Sequence, residues 1–219
     1  MSEAKRALLE KYLCGGGLEL FSQPGVAPRP RDEPALTSFG QEQLWIHAQL
    51  VDDPTIYNEP LTVRRTGPLD VQALKKSLNE IIRRHEAWRT NFAVQDGQLV
   101  QIINPVFKLD LPFVDLSQMD KTEREAEALR LATQDARRPF SLSEGPLLRV
   151  LLIRLSDVDH RLYLTLHQII FDGVSMYSVF LPELEALYES FVNGQAPTLP
   201  ELRIQYRQFV FLARDRPRH

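Results

Sequence analysis

Apolar and polar positions repeat along this chain with two different periods, and the switches between them mark out its elements. The clearest helical stretch is "LDVQALKKSLNEIIRRHE" (69–86). There Val71, Leu74, Leu78, Ile81 and Ile82 recur at helical spacing and Asp70 stands at the N-cap. "LTSFGQEQLWIHAQL" (36–50) reads the same way, with Thr37 or Ser38 as cap and Leu36, Gly40, Leu44, Trp45 and Ala48 in register. "TEREAEALRLATQDARRPF" (122–140) predicts a third helix, ended by Pro139, and "VSMYSVFLPELEALYESFVNG" (174–194) a fourth that tolerates Pro182 and stops at Gly194.

The period shortens to two in "EPLTVRRTG" (59–67), which predicts a strand. "WRTNFAV" and "QLVQIIN" flank Gln95-Asp96-Gly97, a hairpin signal with Asp-Gly at its turn. "LLRVLLIRLS" (147–156) and "HRLYLTLH" (160–167) predict two strands joined by an Asp-rich turn. They are almost continuously apolar, so their sheet is expected to be covered on at least one face. Helix, strand, helix, hairpin, helix, two strands and helix add up to an α/β or α+β two-layer sandwich. Its sheet should be mixed and largely antiparallel, packed by helices. No internal repeat interrupts this order.

Upstream the pattern changes. "SEAKRALLEKYL" (2–13) predicts a short helix capped by Ser2, and "CGGG" stops it because glycines lose the most backbone freedom in any regular element. Four prolines between Ser22 and Pro34 predict an extended arm. The chain therefore divides into an N-terminal helix with its glycine stop (1–17), a Pro-rich linker (18–34) and a folded region (35–219). The first helix reads equally well as a contact to a preceding module and as a frayed end.

The composition narrows the function classes. With 43% hydrophobic and 25% charged residues among 219, the folded region can bury a sizeable core. A net charge of −3 gives no footprint for nucleic acid. The local arginine runs, Arg83–Arg84, Arg137–Arg138 and Arg214–Arg218, read as solvated helix ends. A lone cysteine, Cys14, fits a reducing compartment, and no zinc-type Cys/His spacing is present. No apolar run approaches the roughly 20 residues that span a bilayer, and the N-terminus lacks a signal-peptide core. A cytoplasmic location without membrane or nucleic-acid partners is the expectation.

Candidate chemistry concentrates in "LYLTLHQIIFDG" (162–173). Strand alternation sends Leu162, Leu164 and Leu166 to one face and Tyr163, Thr165 and His167 to the other. His167 and Gln168 therefore share a cleft only if the strand breaks between them. Asp172-Gly173 reads as a turn into the next helix, where Asp172 caps it or serves a site, and Gly173 permits a positive φ. A buried aspartate needs a cation, and "RRHEAWRTNF" (83–92) offers His85 and Arg89 where a helix meets a strand. A helix C-terminus favours cations for dipole reasons as well.

Five blocks then resemble, in order, the N-terminal half of a condensation domain of a nonribosomal peptide synthetase. "SFGQEQLW" (38–45) is similar to the family's opening motif. "RHEAWRTNF" (84–92) is similar to its second, with Trp88 where leucine is usual. "RRPFSLSEGPLLRV" (137–150) leads into the core strand, and "HQIIFDG" (167–173) sits on the His-His-x-x-x-Asp-Gly signature. "IQYRQFVF" (204–211) opens the fourth motif, with Gln208 at a usual aspartate. The likeness runs from about residue 34 to residue 212.

The resemblance implies a chloramphenicol acetyltransferase-like lobe, one of two that enclose a tunnel. Peptidyl or acyl carrier proteins would bring substrates there on phosphopantetheine arms, and an acceptor amine would attack a donor thioester. No cofactor is implied for the lobe itself. The partners would be carriers, the C-terminal lobe and adjacent modules. Carried over by position, His167 holds the site together, and Gln168 occupies the place of the histidine thought to act as base or to orient the amine. Asp172 forms a structural ion pair with Arg89, with His85 in support, and Gly173 lies beside the tunnel.

Glutamine accepts no proton near neutral pH. Gln168 thus marks a natural variant with altered chemistry, a non-catalytic gate, or an engineered substitution. Three readings stand: an amide-forming lobe, an ester-forming or epimerising relative, and a carrier-docking domain without catalysis. Trp45 is expected in the core.

Overall fold

The computed structural model describes residues 35–197 and 199–214, and the predicted helix at 2–13 and the linker at 18–34 lie outside them. In chain order the elements are β1 (Ala35–Leu36), α1 (Phe39–Leu50), β2 (Asn58–Thr66), α2 (Val71–Arg84), β3 (Thr90–Gln95), β4 (Gln98–Ile103) and β5 (Phe113–Asp115). There follow α3 (Lys121–Ala136), β6 (Leu148–Ser156), β7 (Asp159–His167), the one-turn α4 (Gly173–Ser175), α5 (Leu181–Val192) and α6 (Tyr206–Arg214). No helix of the described residues is long and apolar enough to cross a membrane.

Among the described residues two sheets form, ordered β2-β7-β6-β5 and β1-β4-β3. All pairings are antiparallel except β5 with β6, so the larger sheet is mixed and largely antiparallel, as expected. Alternation divides its side chains cleanly. Val150, Leu152, Leu162, Leu164 and Leu166 join Leu74, Leu78, Ile81 and Ile82 of α2 and Leu184 and Leu187 of α5 in the main core. The opposite face carries Ile153 and Leu155, covered by Ala128 of α3 and by Leu116. Both faces of the central strands are therefore covered, which is why they read as nearly continuous apolar runs. Trp45 packs against the main core, as expected.

Local chemistry sets the boundaries. Asp70 caps α2 by accepting from the Gln72 and Ala73 amides, both at 2.9 Å. The β3–β4 turn places Asp96 and Gly97 at φ 50° and 77°, the left-handed pair that a two-residue hairpin turn takes. Helix α3 stops at Ala136, three residues before Pro139, because a residue preceding proline is pushed out of the helical region. The carbonyls freed there are taken up. Asn58 donates to Ala136 O and Arg138 O, and Arg149 to Asp135 O and Arg138 O, all at 2.8 Å. The stretch 174–194 is not one regular helix. Met176–Phe180 is a wider π turn, closed by Leu181 N–H on Met176 O, and it leads into α5 just ahead of Pro182. A proline ring crowds the carbonyl four residues earlier, and the wider turn opens the ladder at that point.

Strand β5 and the two-residue β1 carry no periodic signal of their own. They exist through their partners: β5 is held in parallel register on β6, with Leu152 N–H on Pro112 O and Leu116 N–H on Arg154 O, each at 2.9 Å.

Gly145 is fixed by its surroundings. It lies at φ +57°, and a Cβ there would overlap the Asn91 side chain, whose Nδ2 donates to Ser143 O at 3.1 Å. Gly145→Ala is expected to lower stability by about 2 kcal/mol or more in urea melts, through backbone strain and loss of that bond. A substitution at Gly67 (φ +99°), where nothing lies within 4 Å, meets the backbone strain without the overlap and should cost less.

Candidate functional site

A cavity of about 570 Å³ opens beside the end of β7, walled by four segments that are far apart in sequence: 38–44, 85–88, 168–180 and 202–209. Buried or half-buried polar bonds hold these segments in place. Ser38 caps α1, its Oγ accepting from Gln41 N–H at 3.2 Å while Gln41 Oε1 accepts from Ser38 N–H at 3.0 Å. The same glutamine is buried and donates through Nε2 to Ile169 O at 3.3 Å. One side chain thus closes the helix start and ties the first segment to the third.

The strand breaks where His167 and Gln168 need it to. His167 ends β7 and is 3% exposed, with the rings of Tyr57 and Phe140 packed on it at centroid distances of 5.9 and 6.3 Å. Burial pushes its imidazole down to about 4, so it is neutral at pH 7. Its Nδ1 accepts from Ile169 N–H at 3.2 Å, which leaves the proton on Nε2. His167 shapes the turn and does not line the cavity. The chain then enters a 3₁₀ turn (Gln168–Ile170), and Gln168 emerges exposed on the cavity wall, its backbone N–H anchored on Tyr57 O at 2.9 Å.

The expected ion pair between Arg89 and Asp172 is not formed. Asp172 is exposed and caps α4, its Oδ1 accepting from Ser175 N–H at 2.7 Å and Ser175 Oγ–H at 2.8 Å. Arg89 donates to Asn104 O at 2.6 Å and lies 3.8 Å from Glu86. The two roles weighed for Asp172 thus separate: it serves as a cap at the cavity edge. Gly173 takes ordinary helical backbone without positive φ, and a Cβ there would meet nothing within 4 Å, so the described residues impose no need for glycine.

The cation–carboxylate cluster forms elsewhere. Glu183 of α5 accepts from Arg84 Nε and Nη2, both at 3.2 Å, and lies 2.8 Å from His85 Nε2. Burial alone would raise the Glu183 carboxyl above its ordinary 4.5, but hydrogen bonds and charge from His85 and Arg84 outweigh it and hold it at about 2. Gln205 extends the joint, donating to Arg84 O at 2.8 Å and accepting from Glu86 N–H at 3.0 Å. Gln208, at the usual aspartate position, supplies an acceptor for Gln205 N–H at 2.7 Å. Arg84 is therefore buried rather than a solvated helix end, while Arg83 does lie at the surface, paired with Glu80. Trp88 packs edge-on against Phe180 at 5.2 Å.

Glu183 and Gln205 were not among the candidate residues. Glu183 sits next to the apolar stripe of its helix, and an acidic residue in a first turn is too common to single out. Gln41 carried a readable signal, since serine followed three residues later by glutamine is a capping box.

A sequence profile described as Condensation domain matches residues 32–215. A protein of the linear gramicidin synthase of Brevibacillus parabrevis is 43% identical over 203 residues, covering 93% of this chain and 3% of that protein. Phosphinothricin tripeptide synthetase PhsC of Streptomyces viridochromogenes is 38% identical over 211 residues, covering 96% of this chain and 19% of its own. The chain thus spans a small part of the curated relatives it matches. Among solved structures, the first condensation domain of the calcium-dependent antibiotic synthetase superposes with TM-score 0.75 at 24% identity, over 84% of this chain and 43% of that one. The starter condensation domain of rhizomide synthetase RzmA gives 0.75 at 21% identity, over 84% and 44%. These neighbours share the fold.

Two substitutions test the site's electrostatics. Glu183→Gln is expected to cost about 3 kcal/mol at neutral pH. A carboxyl depressed by folding stabilises fully above its ordinary value and loses that contribution as pH falls through its folded one, so the difference from the parent should shrink between about 4.5 and about 2. Asp172→Asn keeps the cap and should change stability by less than about 1 kcal/mol, against the roughly 3–5 expected if a buried ion pair were broken. Chemical melts across pH read both.

Proposed function

The chain belongs to the condensation-domain family of nonribosomal peptide synthetases, and from that premise we propose that residues 35–219 are the donor-side lobe of an amide-forming unit. The donor is an acyl or peptidyl thioester and the acceptor an aminoacyl group, each carried on the phosphopantetheine arm of a carrier protein. The observation that carries this reading is convergence: four motif segments separated by up to about 170 residues wall one cavity, with Gln168 on its surface.

The cavity's rim supports a second lobe. Val174 and Tyr206 on its wall are 66 and 41% exposed, apolar surface suited to burial against further protein. Completion by a C-terminal lobe would cover it and close the tunnel. On this reading the lobe alone does not turn over, and adjacent modules supply the carriers in the cytoplasm.

A carrier-docking role without catalysis is the second reading, favoured by one observation: the residue on the cavity wall at the motif's second histidine position is an amide. The test is amide formation by the parent protein through its second lobe, with both carriers loaded. Product is followed by mass spectrometry for the native protein and for Gln168→His. Turnover by the native protein within about tenfold of the variant is expected, since positioning by itself contributes large factors. Carrier binding without product from either form would establish the docking reading instead.

A further inference from the structure

Resting on the amide-forming reading, we infer that the proton acceptor of this cavity is His85, oriented by Glu183, and that Gln168 only positions the amine. The titratable side chains on the described cavity wall are His85, Asp172 and Tyr206. Tyr206 already donates its phenol proton to Ser38 Oγ at 3.1 Å, and Asp172 Oδ1 is engaged by Ser175. His85 differs in kind, because its imidazole carries an orienting carboxylate.

Glu183 Oε2 lies 2.8 Å from His85 Nε2, and Arg84 bonds both oxygens of the same carboxylate, which keeps it anionic and fixed. An anion facing Nε2 places the proton of a neutral imidazole on that nitrogen and leaves the Nδ1 lone pair available. A carboxylate that sets the tautomer and steadies the imidazolium is the arrangement by which imidazoles act as bases in acyl transfer. Nδ1 makes no hydrogen bond among the described residues and is not one of their sealed, unpartnered buried atoms. The ring borders the same cavity as Gln168. Of the ionisable groups near it, Glu183 of α5 lies against its Nε2 and is shared with Arg84 at the end of α2, while Asp172 and Tyr206 line the same cavity. Arg207 is engaged with Glu86 at 3.0 Å.

The step balances without a further reactant. The acceptor amine nitrogen attacks the thioester carbonyl carbon and a C–N bond forms. The nitrogen's proton passes to His85 Nδ1, the C–S bond breaks, and the imidazolium returns the proton to the departing pantetheine thiolate. Thioester and amine become amide and thiol.

The parent protein with loaded carriers tests this through His85→Gln, Gln168→His and the double variant. His85→Gln should lose about 10²–10⁴-fold in the single-turnover rate. Adding Gln168→His should restore it, because an imidazole then faces the amine again. A purely structural role for His85 could not be rescued in this way. His85→Gln within tenfold of the parent, or a folded double variant that stays inactive, overturns the inference while leaving the amide-forming reading intact. Absence of product from both the parent and Gln168→His overturns that reading itself, and the inference falls with it.

Discussion

The half-buried Glu183 carboxylate is the constraint on which the rest of the site depends. It draws together the C-terminal end of α2 through Arg84 and His85, the start of α5 on which it sits, and the segment before α6, since Arg84 also donates to Pro200 O at 2.9 Å. A charge at 14% exposure is tolerated only when it is paired and hydrogen-bonded, and here three donors meet it. Gln41 plays the neutral counterpart on the other wall, linking α1 to the turn after β7. Between these two joints the cavity is left open, and its shape follows from which polar groups the fold must satisfy.

The framework of this lobe was legible because its long elements are periodic. The apolar stripe of α2 and the alternating faces of β6 and β7 are where the pattern placed them, and Asp70 and Ser38 cap their helices. Elements without a period were not legible. Strand β5 spans three residues and owes its existence to β6, and the π turn at Met176–Phe180 answers to Pro182 rather than to any repeat. The candidate site divides along the same line. Gln168 and Asp172 lie on the cavity wall as short-range reasoning allowed, whereas the partner of each charge is a long-range matter. Arg89 and Asp172 are both present, yet Asp172 finds Ser175 three residues away and the half-buried carboxylate that attracts cations is Glu183, about 100 residues from Arg84. Sequence spacing carries no information about such pairs.

The two motif neighbours His167 and Gln168 show how one broken strand separates structure from chemistry. Burial keeps His167 neutral and spends its acceptor on the backbone of the turn, and that turn is what delivers Gln168 to the cavity. An amide at that point offers a donor and an acceptor but no proton sink. A cavity so built needs its base elsewhere or makes no use of one, and the only imidazole on its described wall is the one that Glu183 holds.

The four wall segments form one cooperative unit, locked through Glu183 and Gln41. Amide hydrogen exchange of Glu183→Gln, compared with the native protein, probes that coupling. Faster exchange is expected together at Glu86, Gln168, Ile169 and Gln208, while the central amides of β6 and β7 keep their protection. Faster exchange confined to the first turns of α5, with the other three walls unchanged, would contradict it.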